Sequence, residues 1–490
     1  MPLIPLSGRL TGLAKTGQAQ ARPNVLILVF DSLAAQHMSV YGYARSTTPH
    51  LERFAARSNV YHAHYAAGNF TSPGTASLLT GVYPWTHRAF NLAAVPLAEF
   101  TENNLFSAFG RQNYYRLAYS HNRLADFLLY RFRTQLDAYI PRAAFLLNNR
   151  QILPRIFWGD RRIASLGEEL AFVRQNQSSL FLSLLDQMFS PVLSRAGQRE
   201  SFPRGLPEAF RANFVLESAV DGIHAALIEA PHPFVGYFHL LPPHEPYRTR
   251  MEFKDCFTGE RDPDPKPAHF FTQNQPGELL NQLRRSYDEY LAYADAEFGR
   301  LIDLLDQSGL LDNTVVVVTA DHGQLFERGI HGHVTPVLYD PVVRVPLLIY
   351  DPNQNARRDI HIPTSAVDLL PTLLSLAGGP VPDWCEGVVL PPYQTGAPQP
   401  DRSIYAIEAK QNARNRPLST ATVAVIQERI KLISYNGYRG FTERAELYDL
   451  GQDPEERIDL VSVRNSTAEA IRHDLELKLQ AVNRPYRPHT

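Results

Sequence analysis

The sequence predicts an α/β fold: a mostly parallel central sheet flanked by helices, followed by a smaller C-terminal α+β unit. Three observations carry that prediction. Short apolar runs without polar alternation recur, as in Val25–Phe30 (VLILVF), which is how a strand buried on both faces of a parallel sheet reads. Helical periodicity fills the spaces between such runs. The two kinds of pattern alternate, and that alternation is the signature of βαβ construction.

Taken in order, the chain opens with residues 1–22, whose apolar stretch is broken by Pro5, Ser7, Gly8 and Arg9 before an export signal can form. No apolar stretch approaches the roughly 20 residues of a spanning helix, so a soluble, cytoplasmic protein is expected. A catalytic unit is expected over 23–390. After the first strand comes Asn69–Gly81 (NFTSPGTASLLTG). The stretch from about Glu102 to Pro231, rich in Arg, Phe, Leu and Tyr, reads as a largely helical insertion or cap without a catalytic-looking cluster. Phe234–Leu241 (FVGYFHLL) is a further candidate strand. In the next segment Tyr287, Tyr290, Leu291, Ala294, Phe298, Leu301, Ile302 and Leu305 follow the 3.6-residue period, and Gly309 stops the helix. Thr314–Thr319 (TVVVVT) and Val345–Tyr350 (VPLLIY) read like the first strand. The Pro-rich Val388–Pro400 reads as an extended connection. Within 391–490, two β-like runs, Thr420–Gln427 and Arg429–Tyr435, then Ala445–Arg457 and a last helix make the C-terminal unit.

Composition narrows the function. The 490 residues carry a net charge of −2, with 48 basic and 50 acidic residues interspersed. No clustered basic footprint marks a nucleic-acid binder. Two cysteines, Cys256 and Cys385, make neither a disulfide framework nor a thiolate zinc site. A small anionic ester is the expected partner; the oligomeric state is left open.

In an open α/β sheet, ligands collect beyond the carboxyl ends of the strands. VLILVF ends in Asp31, and TVVVVTA ends in Asp321-His322-Gly323. With Thr71 these offer two carboxylates, an imidazole and a hydroxyl, a set suited to one divalent metal. The mixed oxygen and nitrogen donors suit manganese or zinc better than calcium or magnesium. Such a metal would lower the pKa of the Thr71 hydroxyl and make it a nucleophile. Pro73 fits the first turn of a helix running through GTASLLTG, whose N-terminus would face an anion. His244, between prolines in LLPPHEPY, and His331 and His333, in ERGIHGHVTP, are candidates to bind the ester's oxygens or protonate a leaving group. The plainer alternatives are that Asp31 caps a turn, the Asp-His-Gly stretch is an ordinary loop, and Thr71 is a helix N-cap.

These residues resemble the sulfatases of the alkaline phosphatase superfamily. Thr71, Pro73, Leu78, Thr80 and Gly81 fall in the register of that family's C-x-P-S-R…L-x-T-G motif. PNVLILVFDS, YGYARSTTPHLERFA, PHEPY, TADHG, VVRVPLLIY, SAVDLLPTLLSLAG and ELYDLGQDPEE follow in family order. The resemblance implies an alkaline-phosphatase-like fold, a metal among Asp31, Thr71, Asp321 and His322, and substrate contacts from His244, His331, His333 and Thr75. The chain departs from the pattern inside the site. Thr71 stands where the formylglycine cysteine would be, Gly74 and Thr75 replace the motif's Ser and Arg, Ser32 replaces the second Asp of an N-terminal pair, and His333 replaces a lysine. A second metal would find imidazoles at His239, His244 or His333 but no matching Asp, so one metal is expected. A threonine nucleophile resembles the phosphodiesterase and phosphotransferase branches. The leading reading is therefore a metal-dependent hydrolase or transferase of phospho- or sulfo-esters acting through Thr71, with phosphodiesters favoured. A sulfatase working without formylglycine and a non-catalytic anion-binding protein are the alternatives.

Overall fold

The computed structural model describes residues 22–147, 201–210, 212–395, 402–440 and 444–487. Its centre is an eight-stranded sheet in the order Arg358–Ile360, Ser58–Tyr61, Leu347–Tyr350, Thr314–Thr319, Asn24–Phe30, Phe234–Leu240, Tyr115–Ser120, Ala138–Tyr139. Asn24–Phe30 is central and runs parallel to both neighbours, with Val25 opposite Val235 on one side and Val315 on the other. Its unbroken apolar composition has a direct cause. Leu26, Leu28 and Phe30 pack into the core under the 31-residue helix Gly277–Gln307, while Val25, Ile27 and Val29 pack on the opposite face against Leu78, Leu79, Leu369 and Leu373.

Two expectations need correcting. Val345–Tyr350 does contain a strand, Leu347–Tyr350, but it runs antiparallel to both of its neighbours. An apolar run reports burial on two faces and is silent on direction. The stretch read as a helical insertion contributes the helices Leu105–Arg111, Arg123–Arg131 and Leu216–Glu229, but also the strands Tyr115–Ser120 and Ala138–Tyr139 of the main sheet. Its residues 148–200 lie outside the described residues, as do residues 1–21, on which the reading of the N-terminus fell.

Beyond the main sheet, Ile404–Glu408, Ala421–Gln427, Ile430–Asn436 and Arg444–Asp449 form an antiparallel four-stranded sheet backed by the helix Asn465–Asn483. It is joined to the first unit by a backbone hydrogen bond from Ile407 N–H to the Ala67 carbonyl (2.9 Å). Among the described residues no helix is long and apolar enough to cross a membrane.

Candidate metal centre and active site

Four adjacent parallel strands deliver their carboxyl ends to one place. Asp31 follows Phe30, His239 is the penultimate residue of Phe234–Leu240, Asp321 and His322 follow Thr314–Thr319, and Asn122 follows Tyr115–Ser120. His239 Nε2 lies 3.3 Å from Asp31 Oδ2 and 3.7 Å from Asp321 Oδ2. His322 Nε2 lies 3.5 Å from Asp31 Oδ1 and 3.5 Å from Asp321 Oδ2. All four side chains are buried.

Thr71 approaches this cluster from the helix Thr71–Thr80. The helix starts at Thr71 itself, three residues before the expected GTASLLTG, with Pro73 inside the first turn. Thr71 makes no capping bond, and the N-cap position is Phe70. Its Oγ1 instead lies 3.5 Å from His322 Nε2 and accepts from Asn122 Nδ2 at 3.2 Å, while the same Asn122 amide donates to Asp31 Oδ2. Close approach of this helix requires Gly74, since a Cβ there would meet the Asp321 carbonyl oxygen at 2.2 Å. Ser32 adopts a left-handed conformation (φ 62°), which aims its N–H at Asp321 Oδ1 (3.3 Å) and its hydroxyl at Asp31 Oδ1 (3.1 Å).

The electrostatics ask for a cation. Among the described residues no lysine or arginine pairs with either carboxylate. Burial opposes ionisation of Asp31, but the imidazoles of His244, His239 and His322 outweigh it and hold its pKa far below the carboxylate range. Asp321 is pushed up, by burial and then by the Asp31 charge. Burial would lower His239, yet the two carboxylates raise it. Asp321 Oδ2 and His239 Nε2 are buried without hydrogen-bond partners, which native interiors rarely tolerate. Asp31, Asp321 and His239 can each offer a ligand atom within 4.8 Å of the others. His322 keeps Nδ1 against the Gly323 carbonyl oxygen at 2.9 Å, so Nδ1 carries the ring hydrogen and Nε2 is free to ligate. The donor set fits a divalent metal ion.

The remaining expected residues fall in different surroundings. His333 is buried and stacks on His322 with ring centroids 4.2 Å apart; half-buried His244 lies 5.1 Å from the His333 ring. His331 is held by the Tyr247 hydroxyl at 3.1 Å, with Glu245 Oε2 at 3.8 Å. Thr75 is wholly buried one turn inside the helix, beside Tyr237, whose hydroxyl lies 3.2 Å from His239 Nδ1.

Comparison with known proteins now decides the family. The sulfatase family model matches residues 23–136 and 171–379. The chain belongs to the sulfatase family. A second model, the C-terminal region of N-sulphoglucosamine sulphohydrolase, matches residues 329–485. The choline-sulfatase of Rhizobium meliloti is 26% identical over 79% of this chain and 75% of its own length. The multifunctional alkaline phosphatase superfamily protein PehA of Trinickia caryophylli is 25% identical over 76% of this chain and 77% of its own. Among solved structures, the phosphonate monoester hydrolase of Agrobacterium radiobacter superposes with a TM-score of 0.68 at 20% identity, covering 94% of this chain and 96% of that one. This sulfatase-family chain is thus a sulfatase-like ester hydrolase with the alkaline-phosphatase-like fold, and family members use a metal ion.

Sequence reasoning overlooked Asn122 and kept His239 only for a second metal. The signal for His239 was available as the single imidazole in FVGYFHLL, placed where a parallel strand ends. Asn122 was hidden because its strand, YRLAYS, carries polar residues and was read as part of a cap.

Proposed function

We propose that this sulfatase-family hydrolase cleaves a phosphate ester, preferably a diester, through nucleophilic attack by Thr71, with Asp31, Asp321, His322 and His239 holding one divalent metal. The observation that carries this reading is the position of the Thr71 hydroxyl, between Asn122 Nδ2 (3.2 Å) and His322 Nε2 (3.5 Å) at the edge of the two-carboxylate cluster. A divalent ion bound there supplies the Lewis acidity that lowers the hydroxyl's pKa. An N–H donated by Asn122 stabilises negative charge as it develops on Oγ1. His244, at the half-buried outer side, is placed to donate a proton to the leaving group.

Phosphate is favoured over sulfate by the fate of the adduct. Threonine cannot become the aldehyde hydrate, whose sulfated form expels sulfate as the aldehyde re-forms, whereas a threonyl-phosphate can be hydrolysed by water. Sulfate ester hydrolysis remains the second reading, because the family match and the choline-sulfatase likeness point to it. The deciding experiment is acid-quenched turnover of nitrophenyl phosphate diester, phosphate monoester and sulfate, with manganese, zinc or calcium added. Mass spectrometry is expected to find the added phosphoryl group on the peptide containing Asn69–Gly81. Thr71→Ser should retain part of the rate and Thr71→Ala should lose nearly all of it. Turnover of Thr71→Ala near the wild-type rate would mean that water attacks directly.

A further inference from the structure

The substrate side of the site contains a hydrogen-bond chain that none of the roles above uses. Gln324 is buried two residues past His322, and its backbone N–H is anchored on the Pro341 carbonyl at 2.8 Å. Its Oε1 lies 2.7 Å from His333 Nδ1. Its Nε2 lies 2.8 Å from the Tyr247 hydroxyl, which in turn lies 3.1 Å from His331 Nε2. A carboxamide oxygen has no hydrogen to give, so in this arrangement His333 Nδ1 is the donor. In the neutral ring, Nε2 then carries the lone pair. The nitrogen side of the amide satisfies Tyr247, and the phenol hydrogen is left for His331. Gln324 therefore grips His333 through one amide atom and is itself held through the other.

We propose that Gln324 is a positioning residue that fixes His333 as the Nδ1–H tautomer, so that its Nε2 accepts from the water that hydrolyses the Thr71 adduct. This reverses the role expected from the sequence, in which His333 donates to the ester's oxygens or to a leaving group. A lone pair facing an anionic oxygen repels it, whereas a lone pair facing water orients it. The His333 ring lies against that of His322, centroids 4.2 Å apart and tilted by 34°, and His322 Nε2 is 3.5 Å from Thr71 Oγ1. In the step, the water oxygen forms a bond to phosphorus and the bond from phosphorus to Thr71 Oγ1 breaks. The water's proton passes to His333 Nε2, and the regenerated Thr71 oxygen is received by the Asn122 N–H. The water step rests on the Thr71 reading above; the hold on His333 does not.

The test separates the two. In ¹⁵N-histidine-labelled full-length protein, long-range ¹H–¹⁵N spectra, with His333 assigned by His333→Gln, are expected to show Nδ1–H and a bare Nε2. Gln324→Met should scramble that pattern, and Gln324→Glu, which keeps the acceptor oxygen, should preserve it. In burst kinetics with the nitrophenyl ester turned over best, Gln324→Met should leave the initial nitrophenol burst intact. It should slow the steady state about 10–100-fold and let the Thr71 adduct accumulate, while Gln324→Glu recovers much of the loss. A wild-type ring protonated at Nε2, or equal slowing of burst and steady state in Gln324→Met, would overturn the proposal. Absence of any Thr71 adduct in the wild type would overturn the nucleophile reading and the water step with it, while the ring pattern still decides whether Gln324 sets the tautomer.

Discussion

Two of the buried charged clusters among the described residues are built on opposite terms. Where the C-terminal sheet meets the catalytic unit, Lys431 Nζ lies 2.7 Å from Asp340 Oδ1 and 2.7 Å from Glu456 Oε1. Arg344 Nε adds a second cation 3.3 Å from Asp340 Oδ2, and the Asp340 N–H donates to Glu456 Oε2 at 2.8 Å. Two carboxylates thus meet two cations of the protein's own. At the sheet end, Asp31 and Asp321 meet imidazoles, amides and the Ser32 hydroxyl, but among the described residues no lysine or arginine, and Asp321 Oδ2 and His239 Nε2 have no hydrogen-bond partner there. Burying charge is costly unless it is compensated. The first cluster compensates itself and fastens two units together; the second leaves its compensation to a bound cation. Burial and charge alone do not mark a functional site, but two buried carboxylates with no lysine or arginine beside them do.

The sharpest way to break this contrast is to remove a charge from each cluster. Asp321→Ala takes away the carboxylate whose Oδ2 has no hydrogen-bond partner among the described residues. It should abolish turnover and tight metal retention together, measured by rate and by metal analysis of the purified variant. It should also make the melting temperature indifferent to a chelator that lowers that of the wild type. Full metal occupancy in Asp321→Ala would show that the sheet-end cluster is not the metal site. Lys431→Met is the opposite case. It leaves Glu456 in the interior without a cation and Asp340 with Arg344 alone, and should cost about 3–5 kcal/mol of stability, read by urea denaturation, while the metal content of the folded protein stays unchanged. Loss of metal in that variant would mean that the two clusters are coupled and the distinction false.

The contrast also explains what could be read from the sequence. Asp31 and Asp321 were legible because each ends a fully apolar run, and a carboxylate at the end of a buried parallel strand has few structural uses. Thr71 was legible through the resemblance to the sulfatase motif, whose register Pro73 and Leu78 share. Nothing local reveals that Asn122 belongs with them, since its strand pairs beside Phe234–Leu240, more than a hundred residues later in the chain. The direction of Leu347–Tyr350 was hidden for the same reason, because pairing is a property of two segments. Gln324 follows a recognised motif directly, yet its amide acquires meaning only once His333 and Tyr247 fold around it. The Asn122 role can be tested apart from the metal. Asn122→Ala removes the N–H shared by Asp31 and Thr71 and should lower kcat about 10–100-fold with the metal retained. An unchanged kcat would reduce Asn122 to a packing residue.

The smallest effect expected belongs to the self-compensated cluster and appears as a pH dependence of stability. Burial pushes the Glu456 carboxyl up to about 7, against the pull of Lys431 and reinforced by Asp340. Arg344 faces Asp340, and Arg328 donates to the Glu456 backbone carbonyl without touching its carboxylate. In the unfolded chain the same carboxyl titrates near 4.3, so between those values the folded state binds more proton than the unfolded one. Stability is then highest below the unfolded pKa and falls as pH rises through the window from about 4.3 to 7, after which this contribution is flat. The decline belongs to Glu456 together with the Lys431 ammonium that it faces at 2.7 Å. Urea midpoints measured at half-unit steps across that window should decline for the wild type. They should decline less for Glu456→Gln, which keeps the shape and removes the titration. An equally steep decline in Glu456→Gln would assign the slope to other carboxyls, and a rise with pH in the wild type would show that Lys431 dominates the cluster and keeps Glu456 ionised throughout.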